Sequence, residues 1–168
     1  MITRIFQACP NIVGKPTIGY DYEQLEMVMN AVSSLKPNFP LGVKLPPYFD
    51  KPHFEMCANI LNKYKDIISY AASINTIGNA LAIDSYAEMP SIRANNGYAG
   101  LSGAAVKYTA LANVKQMREL LDSSIDVVGV GGISSGRDVF EMLLCGAQGE
   151  FVIMCCIDGD RQVYTSFV

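Results

Sequence analysis

The chain has 168 residues, a net charge of −3 and a pI near 5.1; half of its residues are hydrophobic and its 13 Lys and Arg form no run, so one folded domain acting on small molecules is expected, with no nucleic-acid or membrane-surface partner. Five cysteines (Cys9, Cys57, Cys145, Cys155, Cys156) show neither CxxC nor Cys/His ligand spacing, which speaks against a zinc or disulfide framework and for a reducing compartment. No apolar run approaches the roughly 18 residues of a membrane span and no signal-peptide pattern opens the chain, so a cytoplasmic location is expected.

The alternating Ile2-Thr3-Arg4-Ile5-Phe6 predicts a strand that leads into Cys9-Pro10-Asn11-Ile12-Val13-Gly14-Lys15-Pro16. In that loop two prolines and a glycine restrict the backbone around a thiol, a carboxamide and a cation, an outline suited to aiming reactive groups. The plain alternative is that Cys9 is a small buried hydrophobe. Asp21 with Gln24 reads as a helix start, and Leu25, Val28, Met29 and Val32 recur at helical spacing to about Leu35. Leu41-Gly42-Val43-Lys44-Leu45 predicts a buried strand with Lys44 at its C-terminal end, closed by Pro46-Pro47. Asp50 and Pro52 then open a second helix with Phe54, Cys57, Ala58 and Leu61 on one stripe. His53, the single histidine, has no partner legible in the sequence.

A third strand is expected over Ile67 to Ile74, followed by the polar run Asn75-Thr76-Ile77-Gly78-Asn79. Ala80 to Ala94 suggests a small inserted hairpin with Pro90 near its turn, and Gly97 to Gly103 a flexible loop ahead of a helix from Thr109 to Leu121. Ile125 to Val130 predicts a fourth strand ending in Gly131-Gly132, Arg137 to Cys145 a helix stopped by Gly146, and Glu150 to Cys155 a fifth strand. Repeated βα units with doubly apolar strands predict a parallel α/β sheet. Parallel strands bring their C-terminal ends to one side, so Cys9 with Asn11, Lys44, Asn75 with Thr76, and Gly131 with Gly132 should converge there.

With those segments aligned, the chain resembles the class 1A, fumarate-linked dihydroorotate dehydrogenases. The resemblance rests on Cys9-Pro10-Asn11 with Gly14-Lys15-Pro16, Gly42 to Asp50, Asn75 to Asn79, Thr109-Ala110-Leu111-Ala112-Asn113 and Gly129-Val130-Gly131-Gly132-Ile133. It implies a partial (β/α)8 TIM barrel, about strand 4 to strand 8, with residues 1–168 as one partial domain, since a whole barrel takes roughly 250 residues. By the same resemblance Cys9 is the base that removes a proton from dihydroorotate. Asn11, Asn75 and Thr76 bind the pyrimidine, Lys44 faces the FMN ring, and Ser102, Gly103, Gly131 and Gly132 form flavin and phosphate loops. Dihydroorotate, orotate and fumarate are the implied small-molecule partners.

The sequence also departs from the family pattern. Phe6 stands at a substrate-asparagine position, Ala8 at a serine, Asn95 at a lysine, and Ile153-Met154 at a Gly-Thr pair of the phosphate pocket. A catalytically inactive truncated remnant or an interaction partner of a full-length homologue is therefore the second reading, and the isolated fragment is expected to be inactive. A partial barrel should also expose two sheet edges, at Ile2 to Phe6 and at Phe151 to Cys155, and leave some of Val43, Leu45, Ile74, Val128 and Val152 facing water. A homo-oligomer or association with a complementary half-barrel is expected in consequence.

Overall fold

The computed structural model describes the backbone of residues 4–7, 17–153 and 165–167, and the side chains of residues 17–149. Five parallel strands form the frame: β1 (Arg4–Gln7), β2 (Leu41–Leu45), β3 (Ile68–Ser73), β8 (Asp126–Val130) and β9 (Gly149–Ile153). They lie side by side in that order, and β10 (Thr165–Phe167) pairs antiparallel with β9 at the far edge. The edge expected at Phe151 to Cys155 is therefore covered along Phe151 to Ile153, because the chain returns as a short strand against it.

Four helices cross between these strands: α1 (Tyr22–Ser34), α2 (Lys51–Lys63), α3 (Lys107–Leu120) and α4 (Gly136–Leu144). Each start but one has a side-chain cap. Asp21 accepts from the Gln24 N–H, Asp50 from the His53 N–H and Ser135 from the Asp138 N–H, whereas Val106 at the head of α3 offers none. Gly146, at φ +93°, ends α4: its N–H reaches the Leu143 carbonyl and the Ala147 N–H the Met142 carbonyl, the paired bonds that only a left-handed residue permits without strain.

Successive helices pack on one another, α1 on α2, α2 on α3 and α3 on α4, and their apolar stripes meet the sheet in one core. Phe54, Cys57, Ala58 and Leu61 of α2 and Ala110, Val114 and Met117 of α3 are all buried there. Val43 and Leu45 of β2 and Val127 of β8 join this helix-side core, so strand alternation turns Gly42, Lys44, Val128 and Val130 to the opposite face. Of the five residues some of which were expected to face water, Val43 and Leu45 sit beneath the helices at 3% and 1% exposure, and Ile74 is equally buried. Val128 is half-buried, and Val152 lies outside the described side chains.

The excursion after β3 is more ordered than its sequence suggests. β4 (Ile77–Leu81) pairs antiparallel with β7 (Tyr98–Leu101), and a smaller ribbon, β5 (Ile83–Asp84) with β6 (Met89–Pro90), is nested inside it. Residues expected as a flexible loop at Gly97 to Gly103 thus supply a strand, and Pro90 lies in a strand and not at the turn. Pairing across 16 or more residues is a tertiary event that local turn signals do not report. His53 also has a partner: its Nδ1 lies 2.6 Å from the Asp50 carboxylate, three residues earlier on the first turn of α2.

Candidate functional site

At the C-terminal ends of the parallel strands lies a cavity of about 140 Å³. Lys44 reaches it from β2, Ile74, Asn75 and Thr76 from the end of β3, and Val130, Gly131, Gly132 and Ile133 from the end of β8; Ser102, Gly103 and Val106 close it from the segment that enters α3. All seven candidate residues within the described part of the chain, Lys44, Asn75, Thr76, Ser102, Gly103, Gly131 and Gly132, therefore line one space. β2, β3 and β8, which begin at Leu41, Ile68 and Asp126, are far apart in sequence and adjacent in the sheet, which is how a parallel α/β fold assembles a site.

The floor of the cavity is braced by main-chain bonds that run past the regular ladder. The Ile74 N–H donates to the Val130 carbonyl at 3.0 Å and the Asn75 N–H to the Leu45 carbonyl at 2.7 Å, so the segment leaving β3 is tied to both neighbouring strands. The Ser73–Ile74 peptide at this point is cis. Asn75 is buried at 5% exposure, and the hydroxyl of Ser73, just before the cavity, is buried without a hydrogen-bond partner among the described residues. Among the described residues that line the cavity, Lys44 is the one ionisable side chain.

Gly131 and Gly132 adopt φ of +128° and +72°. A methyl at Gly132 would come within 2.5 to 2.9 Å of the Cβ, Cα and N of Lys107, so this loop lies against the first turn of α3 and offers the cavity only main-chain atoms. Behind it, Lys107 pairs with Asp138 and with Glu141 at 2.6 Å. The Lys107 ammonium and the Ser135 and Ser134 donors hold the Asp138 carboxyl well below the usual carboxylate range. Neither Lys107 nor Asp138 was legible as part of a site. The signal available was an acidic residue in the first turn of a helix that follows a Gly-Gly pair.

A second contributor missed in the sequence is Asn113. It sits on the apolar stripe of α3 beside Ala110, Val114 and Met117, 2% exposed, and holds the loop that follows Lys44 by hydrogen bonds to the backbone of Tyr48. A carboxamide within an otherwise apolar helical stripe is the signal that could have revealed it. Asn95 stands outside the cavity lining, where its amide donates to the Tyr98 carbonyl. Cys9 and Asn11 lie outside the described residues. Gln7, two residues before Cys9, is in register with Lys44 across β1 and β2. Among the described residues no group of three or more His, Cys, Asp or Glu side chains could hold a metal, and no helix is long and apolar enough to cross a membrane.

The dihydroorotate dehydrogenase family profile matches residues 2–162. Dihydroorotate dehydrogenase A (fumarate) of Lactococcus lactis is 47% identical over 146 residues, covering 87% of this chain and 46% of that protein. Dihydroorotate dehydrogenase (fumarate) of Kluyveromyces lactis is 46% identical over the same length, 87% of this chain and 45% of the other. The chain thus spans about half the length of the curated relatives it matches. A crystal structure of Eimeria tenella DHODH in complex with ferulenol superposes with a TM-score of 0.67 over 88% of this chain and 42% of that one, at 17% identity, a likeness of fold.

Proposed function

The chain belongs to the dihydroorotate dehydrogenase family, in its fumarate-linked class 1A, and on that premise we propose that it carries the second-half portion of an FMN-dependent site that oxidises dihydroorotate to orotate with fumarate as acceptor. The observation that carries the proposal is the single cavity shared by Lys44, Asn75, Thr76, Ser102, Gly103, Gly131 and Gly132. Its chemistry fits a flavin edge: one cation, carboxamide and hydroxyl groups, and glycine main chain free of side chains. Its size, about 140 Å³, is smaller than the roughly 300 to 1,000 Å³ of a complete small-molecule site, in keeping with one wall of a larger pocket.

An FMN held by Lys44, Ser102, Gly103, Gly131 and Gly132 would supply the hydride-accepting chemistry of the oxidation. Cys9, as thiolate, takes the proton from C5, so that the C5–C6 single bond becomes the double bond of orotate. Asn75 and Thr76, with Asn11, match the amide and carboxylate edges of the pyrimidine with fixed donors and acceptors. Lys44 lowers the energy of negative charge that accumulates at the ring edge it faces. Ser102, Gly103, Gly131 and Gly132 let backbone N–H groups approach an anionic phosphate without steric hindrance. A cytoplasmic location and a homo-oligomeric or complemented assembly belong to the same proposal. A catalytically inactive remnant gains no support from a cavity that keeps every described candidate residue.

The deciding experiment joins this chain to the half of a relative that its match leaves uncovered and compares Cys9→Ala with the unaltered fusion. Turnover of dihydroorotate should fall by about 10²- to 10⁴-fold while flavin absorbance is retained. Near-normal turnover in Cys9→Ala would withdraw the assignment of the base.

A further inference from the structure

Asp138 lies behind the cavity and not in it, yet its carboxylate connects two of the segments that line the cavity. Oδ2 accepts from the Ser134 N–H at 3.0 Å, the Ser134 hydroxyl at 3.1 Å and the Ser135 hydroxyl at 2.7 Å. Oδ1 meets the ammonium of Lys107, the first residue of α3, and that ammonium continues to Glu141. Ser134 follows Gly132 by two residues, and Gly132 rests directly on the Lys107 backbone. One side chain, 11% exposed, thereby holds the glycine loop through Ser134 and the head of α3 through Lys107.

We propose that Asp138 is a positioning residue that sets the spacing between the Gly131–Gly132 main chain and the first turn of α3, and so shapes the anion-receiving edge of the cavity. The proposal rests on the reading of that edge as the flavin-phosphate loop. Only an ionised carboxylate suits the position, because four donors, one of them a cation, converge on two oxygens. Asparagine would keep one acceptor, present two donors to groups that are already donors, and lose the attraction to Lys107. A capping role for α4 does not account for this pattern, since Ser135 already caps that helix and the Lys107 arm leads away to α3. An anion cradle depends on such support, because donors displaced by about 1 Å lose much of their effect on the bound group.

The test uses the whole 168-residue chain labelled with ¹⁵N, with inorganic phosphate as the probe against chloride at matched ionic strength. In the unaltered chain phosphate should shift the Gly131 and Gly132 amide resonances saturably. In Asp138→Asn the exchange of those two amides should quicken by about tenfold and phosphate affinity should fall by about tenfold, while Val114 and Met117 inside α3 keep their protection. Unchanged exchange and affinity would overturn the proposal, as would a loss of protection that spreads equally to Val114 and Met117. Loosened Gly131 and Gly132 amides in Asp138→Asn, with no phosphate response in the unaltered chain, would overturn the phosphate reading and leave the Asp138 link standing. If Asp138→Asn does not fold, Lys107→Met removes only the α3 arm and is read by the same criteria.

Discussion

Asn113 satisfies both backbone hydrogen-bonding groups of Tyr48, which lies 65 residues away: its Oδ1 accepts from the Tyr48 N–H at 2.7 Å and its Nδ2 donates to the Tyr48 carbonyl at 3.1 Å. A third bond, from Nδ2 to the Thr109 carbonyl at 2.9 Å, orients the amide along α3. The Tyr48 hydroxyl donates in turn to the Gly19 carbonyl at 2.8 Å, so α3, the loop after Lys44 and the segment before α1 are held as one unit. Burial and the neighbouring Cys57 push the Tyr48 phenol far above its ordinary value, so it stays a neutral donor.

Asn113→Leu keeps the branched four-atom side chain and removes its hydrogen-bonding groups. The buried Tyr48 N–H and carbonyl should then cost on the order of 1 to 3 kcal/mol each. The urea midpoint should fall with an unchanged slope. A loss below about 1 kcal/mol would show that the loop relaxes to water and that the brace is dispensable.

Gly132→Ala meets two obstacles at once. The residue holds φ +72°, and its new methyl would lie 2.5 to 2.9 Å from Lys107 atoms that include backbone. A destabilisation of about 1 to 3 kcal/mol is expected from the backbone conformation alone, read as a lowered melting midpoint. Gly136→Ala is the control, since a methyl there meets nothing within 4 Å. Equal melting of the two variants would mean that the glycine loop moves away from α3 at little cost.

The Lys107–Asp138 pair should appear in the acid limb of stability. Lys107, Ser135 and Ser134 depress the folded-state value of Asp138, so its contribution is complete above the ordinary carboxylate value of about 4 and is lost as pH falls through the lower folded value. Glu141, lowered by Lys107, and Asp122, pulled to about 2 by Lys65 and the Ser124 donors, act in the same direction in any variant that keeps them. The diagnostic is therefore a difference. The stability gap between the unaltered chain and Asp138→Asn should be widest near neutrality and close as pH is lowered below about 4. A gap constant from pH 7 down to about 2 would mean that the pair contributes nothing through ionisation.

Among the described residues β1 has one ladder partner, β2, and an edge left unpaired in a sheet is a template for pairing with a second chain. The small ribbon formed by β5 and β6 adds exposed Ile83, Tyr86, Met89 and Ile92. The isolated chain should self-associate in sedimentation, and a complementary half-barrel should suppress this. A compact monomer with a sharp cooperative melt would show that the exposed edge and ribbon are tolerated in water.

The sequence by itself determined the alternation of strand and helix. Apolar runs of five or six residues, caps such as Asp21, Asp50 and Ser135, and the stop at Gly146 are local preferences that the fold retains. It also marked Lys44, Asn75, Thr76, Gly131 and Gly132, because in a parallel sheet a residue just past a strand is by topology at the common end. Only the tertiary structure decided which faces the strands turn to the helices. Val43 and Leu45 are as apolar as any inward residue, and their side follows from the packing of α1 and α2 against β2. The same holds for the pairing of β4 with β7, of β10 with β9, and for the contacts of Asn113 with Tyr48 and of Asp138 with Lys107. Each joins segments too far apart in sequence for either to name its partner, since a hydrogen bond or ion pair between distant residues depends on where the folded backbone brings them and not on what stands beside them in the chain.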